Sequence, residues 1–132
     1  MNISWPLAIA RQESAFMARA NSAVGARGLM QLMPSTAKLQ ARSSKVLYRQ
    51  KSQLYTPQLN IKLGTGYLDN MLTKFDNNLA VASAAYNAGP HRVKRWVKQQ
   101  LPQDQWIETI PYRETREYVK NVLAYSVIYQ SK

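Results

Sequence analysis

Apolar positions along this chain recur at helical spacing, and the breaks between them fall at residues that start or stop helices. The longest stretch opens at Thr56-Pro57, a cap followed by a first helical residue. Leu59, Leu63, Tyr67, Met71 and Phe75 then recur every four residues with Leu68 and Leu72 alongside, the stripe of a helix buried on one face and reaching Phe75. Asp76-Asn77-Asn78 ends it and caps the next, Leu79 to Ala88. That segment is small and apolar on nearly every side (Ala80, Val81, Ala82, Ala84, Ala85), which predicts a central helix. Gly89 supplies the stop, and Pro90 opens a basic amphipathic helix through Lys98. A short helix is expected over Pro102 to Thr109. After Pro111 comes a last one, Arg113 to Gln130, with Val119, Val122, Leu123, Ser126 and Val127 toward the core.

The first half reads the same way. Ser4 can cap an opening helix that tolerates Pro6 in its first turn and runs to about Ala15. Asn21 to Arg27 is a polar loop, Pro34-Ser35-Thr36 starts a short helix, and Ser43 to Tyr55 is a poorly periodic connection. Strand signals are almost absent, with room for one short hairpin near Tyr48. The pattern predicts an all-α fold.

Composition narrows the chemistry. A chain of 132 residues is one domain, residues 1–132, large enough to bury a single core. It has no cysteine, which removes disulfides and thiolate metal sites. His91 is its single histidine, which argues against serine or cysteine triads and the common zinc enzymes. No metal and no cofactor is expected. No run of about 18 apolar residues is present, so no transmembrane segment is expected. The net charge of +11 invites a nucleic-acid reading, but Lys and Arg are spread through the sequence rather than gathered in an arm. A solvated basic surface, or one that concentrates the chain on a polyanion, accounts for it as well.

Seven carboxylates are available: Glu13, Asp69, Asp76, Asp104, Glu108, Glu114 and Glu117. Glu13 stands out. It ends an apolar helical run and precedes an uncharged Gly28-Leu29-Met30-Gln31-Leu32-Met33 segment. Poor solvation raises a carboxyl pKa toward neutrality, as a general acid on a glycosidic oxygen requires. Glycosidases commonly pair two carboxylates, about 5–5.5 Å or about 6.5–9.5 Å apart. Asp69 reads as an exposed helical position and Asp76 as a helix end, so Glu13 has no evident partner and a single-carboxylate mechanism is indicated.

Four segments carry a resemblance: Glu13-Ser14, Gly28 to Gln31, Ala85-Tyr86-Asn87-Ala88-Gly89, and Glu114-Thr115-Arg116-Glu117-Tyr118-Val119. In this order and spacing they resemble the lysozyme-like catalytic domain of soluble lytic transglycosylases, related to goose-type lysozyme, over about Trp5 to Tyr129. The resemblance implies a helical domain with a substrate cleft that acts on peptidoglycan glycan strands. Its chemistry cleaves the β-1,4 bond between N-acetylmuramic acid and N-acetylglucosamine and closes a 1,6-anhydromuramic end. Glu13 would protonate the glycosidic oxygen and then, ionised, take the proton of the attacking C6 hydroxyl, with the substrate's acetamido group steadying the cation-like centre.

By position, the resemblance makes Ser22 and Gln31 contacts to sugar acetamido and hydroxyl groups, and Met33 an apolar wall residue. Tyr86 and Asn87 become site-lining residues, Tyr86 orienting Glu13 or the sugar. Glu114 and Tyr118, one helical turn apart, become cleft residues. Trp96 and Trp106 are read as packing rather than sugar-stacking residues. Where the family has a further Gly after Pro90 this chain has His91; were a positive φ needed there, the histidine would cost about 1 kcal/mol. The resemblance further implies a monomer in the periplasm or cell envelope. The export signal, absent here, is expected to belong to missing N-terminal sequence that would also flank this domain. Goose-type hydrolysis of the same bond, a glycan-binding fragment without activity, and (weakest) a basic nucleic-acid binder remain as alternatives.

Overall fold

The computed structural model describes residues 1–97 and 101–131; Lys98, to which the sequence extends the fifth helix, lies outside them. Seven α-helices follow in order: α1 (Ser4–Ser14), α2 (Pro34–Ser43), α3 (Pro57–Lys74), α4 (Leu79–Ala88), α5 (Pro90–Trp96), α6 (Gln103–Glu108) and α7 (Arg113–Gln130). One 3-10 turn, Lys51–Tyr55, precedes α3. No strand occurs among the described residues, and the all-α expectation holds. The chain divides into two compact units, one of Met1–Ala8 with Leu68–Lys132, the other of Ile9–Tyr67.

In the first unit α4 is central, as its composition requires. Ala80 to Ala85 are all buried, and α4 packs against α5 and α7. Asn78 caps it, Oδ1 accepting from the Val81 N–H at 3.1 Å. Asp76 and Asn77, both with positive φ, turn the chain out of α3. Gly89 serves two helices at once, ending α4 and standing before Pro90 at the start of α5, with φ +94° and ψ 140°. Few residues but glycine hold that conformation. His91 lies inside α5 and has no positive φ, so its departure from the family pattern brings no strain.

Two buried hydrogen bonds fix the start of α1 within this unit. The Trp5 indole donates to Ser83 Oγ on α4 at 2.9 Å, and the Ser4 and Ser126 hydroxyls meet at 3.3 Å. Ser4 is therefore not the cap. That role falls to Asn2, whose Oδ1 accepts from both the Ser4 N–H (2.9 Å) and its hydroxyl (2.7 Å). On α7 the buried face runs Thr115, Tyr118, Val119, Val122, Ser126. Val127, one residue beyond that stripe, is rotated into solvent at 65 % exposure, contrary to its expected core position. Leu123 is half-buried. Trp106 is buried and its indole donates to the Trp96 carbonyl at 3.3 Å, while Trp96 meets Tyr112 edge-on at 5.2 Å. Both tryptophans pack.

The second unit has a small core of Leu32, Ala37, Ala41, Leu54 and Leu63, flanked by Val46, Tyr48 and Leu59. The hairpin allowed near Tyr48 does not form. Val46 and Tyr48 instead lay their side chains on this core from a segment with no regular secondary structure. The antiparallel bridges are found elsewhere, Asn21 with Arg27 and Arg27 with Leu32.

Candidate active site

Glu13 occupies the last turn of α1 and is half-buried. The Ala15 N–H still bonds the Arg11 carbonyl at 2.9 Å, after which Ala15 (φ 51°) and Phe16 (φ 63°) swing the chain out of the helix. Two successive left-handed non-glycine residues cost conformational energy and commonly mark sites where the chain direction matters more than stability.

The segment that follows is held by its own hydrogen bonds. Ser22 accepts from the Ala26 N–H through Oγ at 3.0 Å and exchanges backbone bonds across a tight loop, leaving its hydroxyl proton available to an acceptor. Gln31 has φ 51°, and its side-chain amide donates to the carbonyls of Ala20 (3.1 Å) and Gly28 (2.8 Å). Because both partners are carbonyls, the nitrogen is assigned without ambiguity, and the amide oxygen is the atom left for a ligand. Met33 is 38 % exposed and stands as the N-cap residue of α2.

One buried residue organises this loop, and sequence reasoning missed it. Asn60, on α3 and fully buried, accepts from the Met30 N–H (2.8 Å) and donates to the carbonyls of Arg27 (3.0 Å) and Leu54 (2.8 Å). Gly28 passes so close that a Cβ there would collide with the Asn60 amide and the Leu54 carbonyl, and its φ of +82° independently excludes most side chains. The glycine of the Gly28 to Gln31 motif is thus explained by geometry. Alongside, Arg27 donates to the Tyr55 hydroxyl at 3.0 Å, and Arg19 and Arg27 each lie within 6 Å of the Tyr55 ring centre.

The other candidate residues belong to the first unit. Tyr86 and Asn87 are half-buried at the end of α4. Asn87 Oδ1 accepts from the Thr115 hydroxyl at 2.8 Å, which occupies the amide oxygen and leaves the N–H₂ as the donor. Thr115, 2 % exposed, is the second residue that the sequence did not flag. It sits inside the Glu114 to Tyr118 motif and ties that motif to the Tyr86-Asn87 pair. Glu114 is exposed, whereas Tyr118 is buried at 5 %. The two share a helix side without sharing an environment, and little of the Tyr118 ring is open to a sugar.

Among the described residues no group of three or more His, Asp or Glu side chains could hold a metal ion. The structure therefore places Glu13, Ser22, Gln31 and Met33 in the Ile9–Tyr67 unit, and Tyr86, Asn87, Glu114 and Tyr118 in the other.

Comparison with known proteins identifies the family. The family model described as the transglycosylase SLT domain matches residues 3–109, and that of the soluble lytic transglycosylase helical domain matches residues 109–132. The chain is 47 % identical over 131 residues to the soluble lytic murein transglycosylase of Salmonella typhimurium, covering 96 % of this chain and 20 % of that protein. An inactive glutamate-to-glutamine mutant of the lytic transglycosylase Slt from Pseudomonas aeruginosa superposes with a TM-score of 0.96 at 53 % identity. That match covers 99 % of this chain and 22 % of the other. The 70-kDa soluble lytic transglycosylase of Escherichia coli gives 0.94 at 44 % identity, with the same coverage of each chain. The all-α, lysozyme-like fold is common to them, and this chain spans about a fifth of the length of these relatives. With a family model matching most of its length and near-half identity to curated members, the chain belongs to the soluble lytic transglycosylase (SLT) family.

Proposed function

We propose that this chain is a peptidoglycan lytic transglycosylase domain, acting in the cell envelope on the β-1,4 bond between N-acetylmuramic acid and N-acetylglucosamine. The observation that carries the reading is Glu13: in the Ile9–Tyr67 unit it is the single Asp or Glu. Its place in the last turn of α1 puts it at the negative pole of the helix, which favours the protonated carboxyl. In this proposal the neutral acid gives its proton to the glycosidic oxygen as the C1–O bond breaks. The carboxylate so formed then takes the proton of the C6 hydroxyl as that oxygen closes on C1. The proton is returned, no water is consumed, and the product carries a 1,6-anhydro ring. A pKa near neutrality serves both steps. That a glutamate-to-glutamine mutant of the P. aeruginosa relative is inactive supports an essential glutamate.

The supporting residues follow from their free atoms. In the Ile9–Tyr67 unit Ser22 offers a hydroxyl proton and Gln31 an amide oxygen, groups that suit an N-acetylated sugar, and in the other unit Asn87 offers an amide donor. Met33 offers exposed apolar surface to a ring face; Tyr86 and Glu114 are proposed to line the cleft, and Tyr118, whose ring is buried, to support it without touching the sugar. No helix among the described residues is long and apolar enough to cross a membrane.

Digestion of purified sacculi by the wild type and Glu13→Gln, with products identified by mass spectrometry, tests the proposal. Anhydromuramic products from the wild type are expected, with a loss of at least about 100-fold in the variant, the scale of general acid catalysis. Reducing muramic ends lost in the variant would mean a lysozyme instead. Saturable binding to sacculi without turnover by either protein would leave a binding fragment.

A further inference from the structure

The basic charge is not evenly distributed over the folded chain. The Ile9–Tyr67 unit holds nine Lys and Arg against one acid, while the other unit holds nine against six. In the sequence the bases look dispersed; the division into units shows where counter-charge is missing.

Within the basic unit a surface depression of about 620 Å³ is lined by Lys38, Arg49 and Lys51 together with the hydroxyl residues Ser35, Tyr48 and Ser52. No carboxylate lines it. None of the three cations has an ion pair among the described residues, and all three are exposed. The rim is nonetheless ordered. Gln53 accepts from the N–H groups of Arg49 (2.6 Å) and Gln50 (2.9 Å) in a reciprocal cap of the 3-10 turn. Tyr48 rests its ring on the core cluster. Burial pushes its hydroxyl pKa up against the opposing effect of Arg27, so it enters the depression as a protonated donor at neutral pH. Ser35 lies in the first turn of α2, whose amino end has no side-chain cap, which adds partial positive charge to the same place.

A depression furnished with cations and donors and lacking acids fits an anion. The ring of Tyr48 is committed to the core, so no aromatic platform is left for stacking bases, as single-stranded nucleic acid requires. Pro34, which also lines the depression, directly follows Met33. The depression therefore begins next along the chain to a residue proposed to hold the sugar, with Lys38 one turn of α2 further on. We propose that the Lys38, Arg49 and Lys51 depression is an accessory subsite for a carboxylate of the peptide borne by the muramic sugar. This rests on the transglycosylase reading and adds a charge-selective contact to it.

The test uses two substrates and two triple variants. The substrates are native sacculi and sacculi whose peptide carboxyl groups have been converted to amides. Lys38→Gln/Arg49→Gln/Lys51→Gln empties the depression of charge; Arg42→Gln/Lys45→Gln/Lys62→Gln removes the same charge from exposed positions elsewhere in the unit. On native sacculi the first variant is expected to raise KM about tenfold with kcat unchanged, the second by much less. Amidation should weaken the wild type by a similar factor and leave the first variant indifferent. Equal losses in both variants, or a first variant as sensitive to amidation as the wild type, would overturn the subsite. So would wild-type binding of a single-stranded oligonucleotide that the first variant loses and that displaces sacculi. Binding is read by cosedimentation in the Glu13→Gln background as well as by turnover. A failed transglycosylase reading would therefore show as absent wild-type products while the binding comparison still decides the subsite.

Discussion

Asn60 shows how much one buried amide can organise. Its three hydrogen bonds reach Met30, Arg27 and Leu54, which carry the loop of the Gly28 to Gln31 motif and the end of the 3-10 turn. Asn60→Ala would remove all three bonds; the Arg27 carbonyl keeps the Leu32 N–H at 3.1 Å, while the Met30 N–H and the Leu54 carbonyl lose this amide, so a loss of about 2–4 kcal/mol in urea unfolding is expected. Asn60→Asp should be no better. It keeps the acceptor for Met30 but turns a carboxylate oxygen toward two carbonyls. An Asp variant of wild-type stability would show that the loop does not depend on this amide. Nothing in the sequence announces Asn60, because two of its partners lie about 30 residues away and a polar residue mid-helix reads as surface. Thr115 was hidden for the same reason, its partner Asn87 lying 28 residues back. Glu13, Gln31 and Asn87 could be picked out because each sits in a short motif of its own. Their hydrogen bonds could not.

Helices were legible where their ends are written in local chemistry. Pro34, Pro57 and Pro90 each stand first in a helix, and Asn78 caps one with its own side chain. The opening of α1 was assigned to Ser4 because Ser is a good cap, yet Asn2 does the work and frees Ser4 to meet Ser126. Gly89 joins α4 to α5 in a conformation with φ +94°, and a Cβ there would meet nothing within 4 Å. Gly89→Ala therefore isolates the backbone term. A loss of about 1–3 kcal/mol is expected, without any packing contribution. Thermal unfolding by circular dichroism measures it, and an unchanged midpoint would mean the junction relaxes freely. Between α6 and α7 the exposed Lys120–Glu108 pair, 2.8 Å apart, is a weaker joint. The Lys120 hydrogen bond and charge hold the Glu108 pKa below its usual value. Its contribution is present above the unfolded carboxyl pKa and is lost as pH falls through the lower folded one. The small stability difference between wild type and Lys120→Gln should accordingly vanish in acid.

At the scale of the molecule, charge has the most direct consequence. A net +11 averaged over the surface would act as a diffuse attraction, but the excess sits mainly in the unit that carries Glu13, with its nine bases against one acid. Such a field draws a polyanionic glycan–peptide mesh toward the proposed acid, and it is screened by salt in a known way. Raising ionic strength from about 0.1 M to about 1 M shortens the Debye length from about 10 Å to about 3 Å. Binding of the Glu13→Gln variant to native sacculi, followed by cosedimentation, should weaken steadily over that range. Binding to carboxyl-amidated sacculi should start weaker and change little, since only the proposed neutral sugar contacts would remain. Those neutral hydrogen bonds are insensitive to screening, and a carboxylate seated in the basic depression keeps its short-range contact, so the two curves are expected to approach each other at high salt without meeting. Full convergence at about 1 M would mean that the peptide carboxylate is drawn by the long-range field alone and is not held at contact distance within the basic depression.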